Sequence, residues 1–443
     1  MRPSSTSNSD VLTRNNQRAA RALAARLLRF SIPVLILVLG FEVLLARLGE
    51  SWPVSLVVRV EQTAQPSLYG RGLFSQQFGL YKQRSIARRQ PRILVLGSSR
   101  VQQFRRAMFR PLDAGFYNAG GMIQNLGDLE QLAESIEAGG LAAPRAVLIG
   151  IDPWWLAARD RPIPEGWSAT NDAHDAVLRP AAHLAVARNL VRGRGWSWQA
   201  LVAGARGPSP YYQQPAIGAA ALRGQGFRED GSYQYDPSML LAFIDRPVYH
   251  DREQPPVTER IARTSHQFTP ADGVASARLE HLVTSLGRLR AQGIEVYALL
   301  PPFSTPAAAA LDRSPALGAW WRAYHRALPQ RLAAVGVDGL DAGTPAEHGL
   351  GDVSMIDGFH PSEVFAGHLL RDLVRALPAD RLLAQIDVRA LEALLDRAAL
   401  PLAFDLPPGA ERPGFRPAFD AVRCARRAQD GVFLGARPMG DPP

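Results

Sequence analysis

An α/β fold, with a parallel sheet covered by helices on both faces, is what this 443-residue sequence predicts. Two observations carry that expectation. Short apolar runs of the buried-strand type, at residues 92–97, 146–151 and 294–303, alternate with amphipathic helical stretches at 125–137 and 276–292. The helical stretches are also long enough to serve as crossovers between parallel strands.

The elements follow in order. Residues 1–29 form a basic arm. Arg2, Arg14, Arg18, Arg21, Arg26 and Arg29 face only Asp10, so +5 of the chain's net +9 lies there. The arm reads as disordered or lying on a membrane surface. The remainder is weakly basic, with no basic helix interleaved with aromatics, which argues against nucleic acid as a partner. Residues 30–46, "FSIPVLILVLGFEVLLA", are apolar apart from Ser31 and Glu42; these 17 residues are the short end of what spans a bilayer. The arginines before the run favour a cytoplasmic N-terminus. The reading is a single-pass signal anchor at 30–48 in the inner (cytoplasmic) membrane, with the main domain periplasmic or otherwise extracytoplasmic. A cleaved signal peptide is the runner-up, disfavoured because "LLARLGE" offers no clean A-x-A site. A buried core helix is the third reading. The lone Cys424 gives an exported domain no intramolecular disulfide, so a sizeable core must stabilise it.

Residues 50–90 read as a connector with an amphipathic start. The main domain is expected over 91–378. After the strand at 92–97 come a helical turn or two at 102–109, a short strand at 115–118 and the helix at 125–137. The strand at 146–151 follows. Residues 158–272 are rich in Pro, Gly, Arg, Tyr and Gln, too long for a plain loop. They read as an insertion, a lid or substrate-facing subdomain, with helices near 180–203. Regularity returns with the helix at 276–292, the strand ending in Pro301-Pro302, a helix at 319–335, the short strand "VDGLDAG" and a helix at 363–376. The extension 379–443 carries one more helix at 388–398 and a peripheral Pro- and Arg-rich run.

In a doubly wound sheet, reactive groups gather at the carboxyl ends of the strands. Four such places carry small or polar residues: Gly97-Ser98-Ser99-Arg100, Asn118-Ala119-Gly120-Gly121, Asp152-Pro153-Trp154-Trp155 and Asp357-Gly358-Phe359-His360. A serine hydroxyl needs a base beside it to act as a nucleophile. An imidazole supplies one near neutral pH, and a carboxylate fixes its tautomer. Ser99, His360 and Asp357 are the required parts, provided the fold unites them; a structural role for His360 is the competing reading. Ser98 is the alternative nucleophile, expected instead to hydrogen-bond within the turn. Arg100 could hold an anionic substrate group or pair with a carboxylate. Trp154 and Trp155 could stack on sugar rings or pack in the core. Asn118 and Asp152 join these three as candidate substrate-binding residues. His174, His183, His250 and His266 show no metal-ligand spacing, and no glycine-rich phosphate loop follows a strand. No metal or cofactor is expected.

In this order the four blocks resemble the SGNH (GDSL-like) hydrolase superfamily, over about residues 91–157 and 276–378. The resemblance implies a three-layer α/β/α, flavodoxin-like sandwich with Ser99 as nucleophile and Asp357 and His360 completing the triad. It also implies that Gly120 or Gly121 joins Ser99 in donating backbone N–H groups to an oxyanion hole. Where the family has Gly-x-Asn, this chain has Gly150-Ile151-Asp152. A carboxylate cannot donate a hydrogen bond unless protonated, so either the hole uses backbone groups alone or Asp152 faces elsewhere. "GSSR" and "GIDPWW" are similar to membrane-anchored members that accompany membrane-bound O-acyltransferases. That likeness implies acyl transfer to, or removal from, a cell-envelope or exported glycan. The expected partners are therefore an acylated glycan or acyl donor and a membrane-bound O-acyltransferase. A catalytically inactive, glycan-binding assembly partner is the alternative.

Overall fold

The computed structural model describes residues 8–61, 67–70, 78–158, 163, 184, 208–209, 212–245, 256–406, 410–411 and 413–433. The helices expected near 180–203 lie outside these residues apart from position 184. The described strands are β1 (Leu68–Tyr69), β2 (Ile93–Leu96), β3 (Phe116–Asn118), β4 (Ala146–Gly150), β5 (Pro208–Ser209), β6 (Tyr212–Ile217), β7 (Gly226–Arg228), β8 (Tyr233–Gln234), β9 (Glu295–Leu300) and β10 (Asp338–Asp341). The helices are α1 (Asn8–Leu48), α2 (Val54–Glu61), α3 (Phe78–Arg89), α4 (Leu126–Glu137), α5 (Pro237–Asp245), α6 (Val257–Ala262), α7 (Ser276–Ala291), α8 (Thr305–Arg313), α9 (Gly318–Ala334), α10 (Glu363–Ala376), α11 (Val388–Asp396) and α12 (Arg416–Phe433).

Five strands form an all-parallel sheet in the order β10-β9-β4-β2-β3. Its central strands β2 and β4 are apolar throughout because both faces are buried, whereas the edge strand β10 is half exposed and carries Asp338 and Asp341. Leu94, Leu96, Val147, Ile149, Val296 and Ala298 share one core with α4, α7 and α9. The alternate residues Ile93, Val95, Leu148, Tyr297 and Leu299 share a second core with α10 and α11. The chain leaves β2 toward β3 on one side and leaves β4 toward β9 on the other. The crevice between the ends of β2 and β4 is thus the switch point at which such sheets place ligands. Asn125 opens α4 by accepting from the N–H groups of Gly127 and Asp128, and Ser362 opens α10 by accepting from that of Phe365.

A second, mixed sheet runs β5-β6-β1-β7-β8. It unites the segment read as a connector with the segment read as an insertion: β1 pairs parallel to β6 and antiparallel to β7. Val54, Val57, Tyr69, Tyr81, Ile217 and Phe227 give it a core of its own. Short strands separated by more than a hundred residues leave little periodicity to read, which is why the sequence did not reveal it. The buried Lys82 of α3 latches this sheet to the end of β3, donating to the carbonyls of Asn118 (2.9 Å) and Gly231 (2.6 Å). Its ammonium also lies 3.8 Å from the Phe227 ring centroid.

From residue 8 the basic arm, read as disordered or lying on a membrane surface, is helical and runs on into the apolar stretch: α1 is one 41-residue helix, about 60 Å long at the usual rise. It is long and apolar enough to cross a membrane. Its last turn is partly buried: Leu45 and Leu48 are fully buried, and Leu48 packs with Leu68 and Ala216 of the second sheet and with Leu222 of the turn after β6. Gly218 N–H donates to the Leu48 carbonyl (2.7 Å), and Ala219 N–H to Glu50 (2.6 Å). The C-terminal extension joins the main core as far as about residue 404, so the start of the run expected to be peripheral is packed inside. Leu382, Leu383, Leu391, Leu395 and Phe404 belong to the core under α10. Amphipathic segments that cover an already apolar face give no sign in sequence of which face they cover.

Gly231 sits at φ +80°, where a Cβ would lie 2.0 Å from the Asn118 carbonyl oxygen. Gly231→Ala is expected to lever the second sheet off β3 and cost about 1–3 kcal/mol, read as a lowered denaturation midpoint.

Candidate active site

β2 ends at Gly97, whose φ of +137° favours glycine; a Cβ there would lie 3.0 Å from the Gly150 carbonyl. The chain then turns into a short 3-10 helix, Ser99–Val101. Ser98 caps it, its hydroxyl accepting from Arg100 N–H at 3.3 Å. Ser98 is thereby occupied in the turn, and the half-buried Ser99 stands at the rim.

The segment carrying Asp357 and His360 follows β10 and meets this rim from 261 positions away. Ser99 Oγ lies 2.8 Å from His360 Nε2, and His360 Nδ1 lies 2.7 Å from Asp357 Oδ2. With Nδ1–H donating to the carboxylate, Nε2 is left to accept from the serine hydroxyl. Asp357 Oδ1 also accepts from the backbone N–H groups of Phe359 (2.9 Å) and His360 (2.7 Å). Burial alone would raise the Asp357 carboxyl, but His360 and these hydrogen bonds hold it below the usual carboxylate range. The three side chains expected to carry chemistry thus form one hydrogen-bonded line.

The other candidates are placed differently. Arg100 is buried, 1 % exposed. Its Nη1 pairs with Asp152 Oδ1 (3.2 Å), its Nε donates to the Phe359 carbonyl (2.9 Å), and its Nη2 donates to the carbonyls of Pro301 (3.0 Å) and Pro302. The guanidinium also lies 4.2 Å from the Phe303 ring centroid. Arg100 therefore pairs with a carboxylate in the interior and offers no group to a substrate. Asp152 faces Arg100, not Ser99. Burial pulls the Arg100 guanidinium down and the Asp152 carboxyl up, each against the pull of its partner. Asn118 is fully buried; its amide donates to the carbonyls of Val101 and Phe104, at 2.8 Å each. It holds the turn after Ser99 and has nothing to give a ligand. Trp155 is core, 2 % exposed. Trp154 is half-buried, edge-on to Phe268 and to Phe359, which adjoins His360 in sequence.

The glycines expected at an oxyanion hole are already engaged. Gly120 N–H donates to Asn118 Oδ1 at 2.7 Å, and Gly121 N–H to the carbonyls of Gly97 (2.8 Å) and Ser98 (3.0 Å). Of the three expected donors, only the Ser99 N–H has no acceptor among the described residues. Sequence reasoning missed the role of Pro301 and Pro302. A hint was present: a Pro-Pro pair at a strand end offers carbonyls with no N–H between them to compete for partners. It also missed Lys82, for which nothing local in the sequence signals burial. Among the described residues no group of three or more His, Cys, Asp or Glu could hold a metal ion. No family model, curated protein or solved structure matches this chain.

Arg100→Met leaves Asp152 buried without its cation and is expected to cost about 3–5 kcal/mol of unfolding free energy in denaturant titration. Asp152→Leu in the same chain should recover part of that loss. Asp357 has a lowered folded-state pKa. Its stabilisation is therefore fully present above its unfolded value of about 3.9 and disappears as pH falls through the lower folded value. The stability difference between the wild type and Asp357→Asn should accordingly shrink below about pH 4.

Proposed function

We propose that the chain is a membrane-anchored, SGNH-like serine esterase or O-acyltransferase acting on acyl esters, acetyl above all, of a cell-envelope or exported polysaccharide. The observation that carries this reading is the line Ser99–His360–Asp357, at 2.8 and 2.7 Å, beside the switch point of the parallel sheet. The three-layer SGNH arrangement, and an N-terminus inside with the domain outside the cytoplasm, belong to the same proposal. The apolar α1 and the arginines that precede its apolar run support them.

In this mechanism Ser99 Oγ attacks the ester carbonyl while His360 Nε2 takes its proton. Asp357 holds Nδ1–H and stabilises the imidazolium. The Ser99 N–H faces the developing oxyanion. The C–O bond to the leaving alcohol breaks as His360 returns the proton to that oxygen, leaving an acyl-serine. A glycan hydroxyl or water then gives its proton to His360, attacks the acyl carbon, and releases Ser99 as the proton passes back to Oγ. An acceptor hydroxyl regenerates an ester; water yields the free acid.

A second reading has its own support. With Gly120 and Gly121 donating inside the protein, the hole holds fewer donors than the family pattern, and one lost donor costs on the order of a hundredfold. A catalytically inactive, glycan-binding partner of a membrane-bound O-acyltransferase would tolerate this.

A fluorophosphonate probe applied to the full-length protein in detergent distinguishes the two. Under the enzyme reading Ser99 is labelled, Ser99→Ala abolishes labelling, and His360→Ala and Asp357→Asn slow ester hydrolysis by on the order of a thousandfold or more. Absence of labelling with glycan binding retained would decide for the inactive partner.

A further inference from the structure

Beside the candidate active site lies a cavity of about 430 Å³, within the range of small-ligand sites. Its wall shares one segment with the triad. Glu363, three positions after His360, lines it, as do Gln103 and Arg105 shortly after Ser99. Tyr235 lines it too, and burial, then the neighbouring Tyr233 and Asp357, push its hydroxyl well above the ordinary value.

The chemistry of the lining is unusual. It contains the guanidinium groups of Arg105, Arg106, Arg110 and Arg228. Against them stand the carboxylates of Asp113, Glu229, Asp230, Glu363 and Asp405. Most are tied to one another: Arg105 to Glu363 (3.3 Å) and Asp405 (3.1 Å), Arg228 to Glu363 (2.6 Å), and Arg106 to Glu229 (2.7 Å). Fixed charge therefore nearly cancels, and the wall presents no field that would hold an ion. It remains dense in donors and acceptors, because each carboxylate oxygen accepts more than one bond and each guanidinium carries five N–H groups. The Nε–H groups of Arg105 and Arg106 are buried with no acceptor among the described residues. The rest of the lining combines the polar Ser67, Gln103 and Gln234 with an apolar part that includes Leu68, Leu240, Leu402, Leu406 and Tyr235.

We propose that this cavity binds a neutral saccharide unit, whose hydroxyls pair with the balanced ionic wall and whose C–H face lies on the leucines and Tyr235. Its use as the acceptor site for the acyl group rests on the esterase or acyltransferase reading above; the binding itself does not. An uncharged polyol satisfies both donors and acceptors without leaving a net charge in the cavity. An anionic ligand would meet one carboxylate more than there are arginines, and three of the four arginines, all but Arg110, are already held in ion pairs.

Isothermal titration calorimetry on the full-length protein in detergent tests this with neutral gluco-, manno- and galacto-configured tetrasaccharides and with tetragalacturonate. At least one neutral series should bind wild type and Ser99→Ala equally, with tetragalacturonate weaker. Ala107, exposed on the cavity lining, serves to obstruct it. Ala107→Trp should weaken neutral binding at least about tenfold with an unchanged melting temperature. Asp405→Ala, at a side chain 78 % exposed, provides a second variant expected to weaken it in the same direction. No binding by any neutral series, binding that both variants leave unchanged, or tighter binding of tetragalacturonate each overturns the proposal. No acyl transfer enters the measurement. Failure of Ser99 labelling with saccharide binding intact therefore rejects the enzyme, and the converse rejects this cavity.

Discussion

The interior guanidinium of Arg100 is the interaction on which the site depends. Three loops arrive at the carboxyl edge of the parallel sheet from β4, from β9 and from beyond β10. Nothing in the strands themselves sets the spacing of those loops. Arg100 bonds to Asp152 in the first, to Pro301 and Pro302 in the second and to Phe359 in the third. Its neighbour Ser99 is thus held at a fixed offset from His360, the residue after Phe359. A buried cation is costly to desolvate, and that cost is offset only while every partner is in place. The hydrogen-bonded line of Ser99, His360 and Asp357 is therefore a by-product of a structural clamp immediately behind it.

The second sheet supports the same edge from outside. Lys82 holds the Asn118 carbonyl, and the backbone N–H of Asn118 donates to the Asp230 carbonyl (2.8 Å). The Asn118 side chain in turn holds the carbonyls of Val101 and Phe104 and the Gly120 N–H. Residues from β3, α3 and the β7–β8 hairpin converge on the turn that presents Ser99. The candidate saccharide cavity opens in the seam between that hairpin and the C-terminal segments.

Much of the parallel sheet was legible because it obeys local rules. Buried strands such as "ILVL" and "AVLIG" are uniformly apolar, and helices such as α7 and α10 keep one apolar face. Ser99, His360 and Asp357 were legible for a related reason: they stand at strand ends, where chemistry-bearing residues are conspicuous against an apolar background. Arg100, Asn118 and Asp152, read as candidate substrate-binding residues, have their side chains engaged in the interior. A polar residue at a strand end looks the same in sequence whether it turns toward solvent or inward; for Arg100 the deciding partners, Pro301 and Phe359, lie more than two hundred residues on. The mixed sheet was illegible for want of length: β1, β5 and β8 are two residues each, too short to show alternation.

The seating of α1 has a consequence for how the globular part could be separated from the apolar helix. Leu45, Leu48 and Glu50 are interior residues of the mixed-sheet body as well as the terminus of the apolar rod. A protease cutting just after the apolar run would carry off interior packing together with the hydrophobic rod, leaving an opened groove along β1 and β6. Shedding intact would require a cut upstream, within the exposed length of the rod. The end of the apolar helix and the mixed-sheet body thus share one packed seam at Leu45, Leu48 and Glu50.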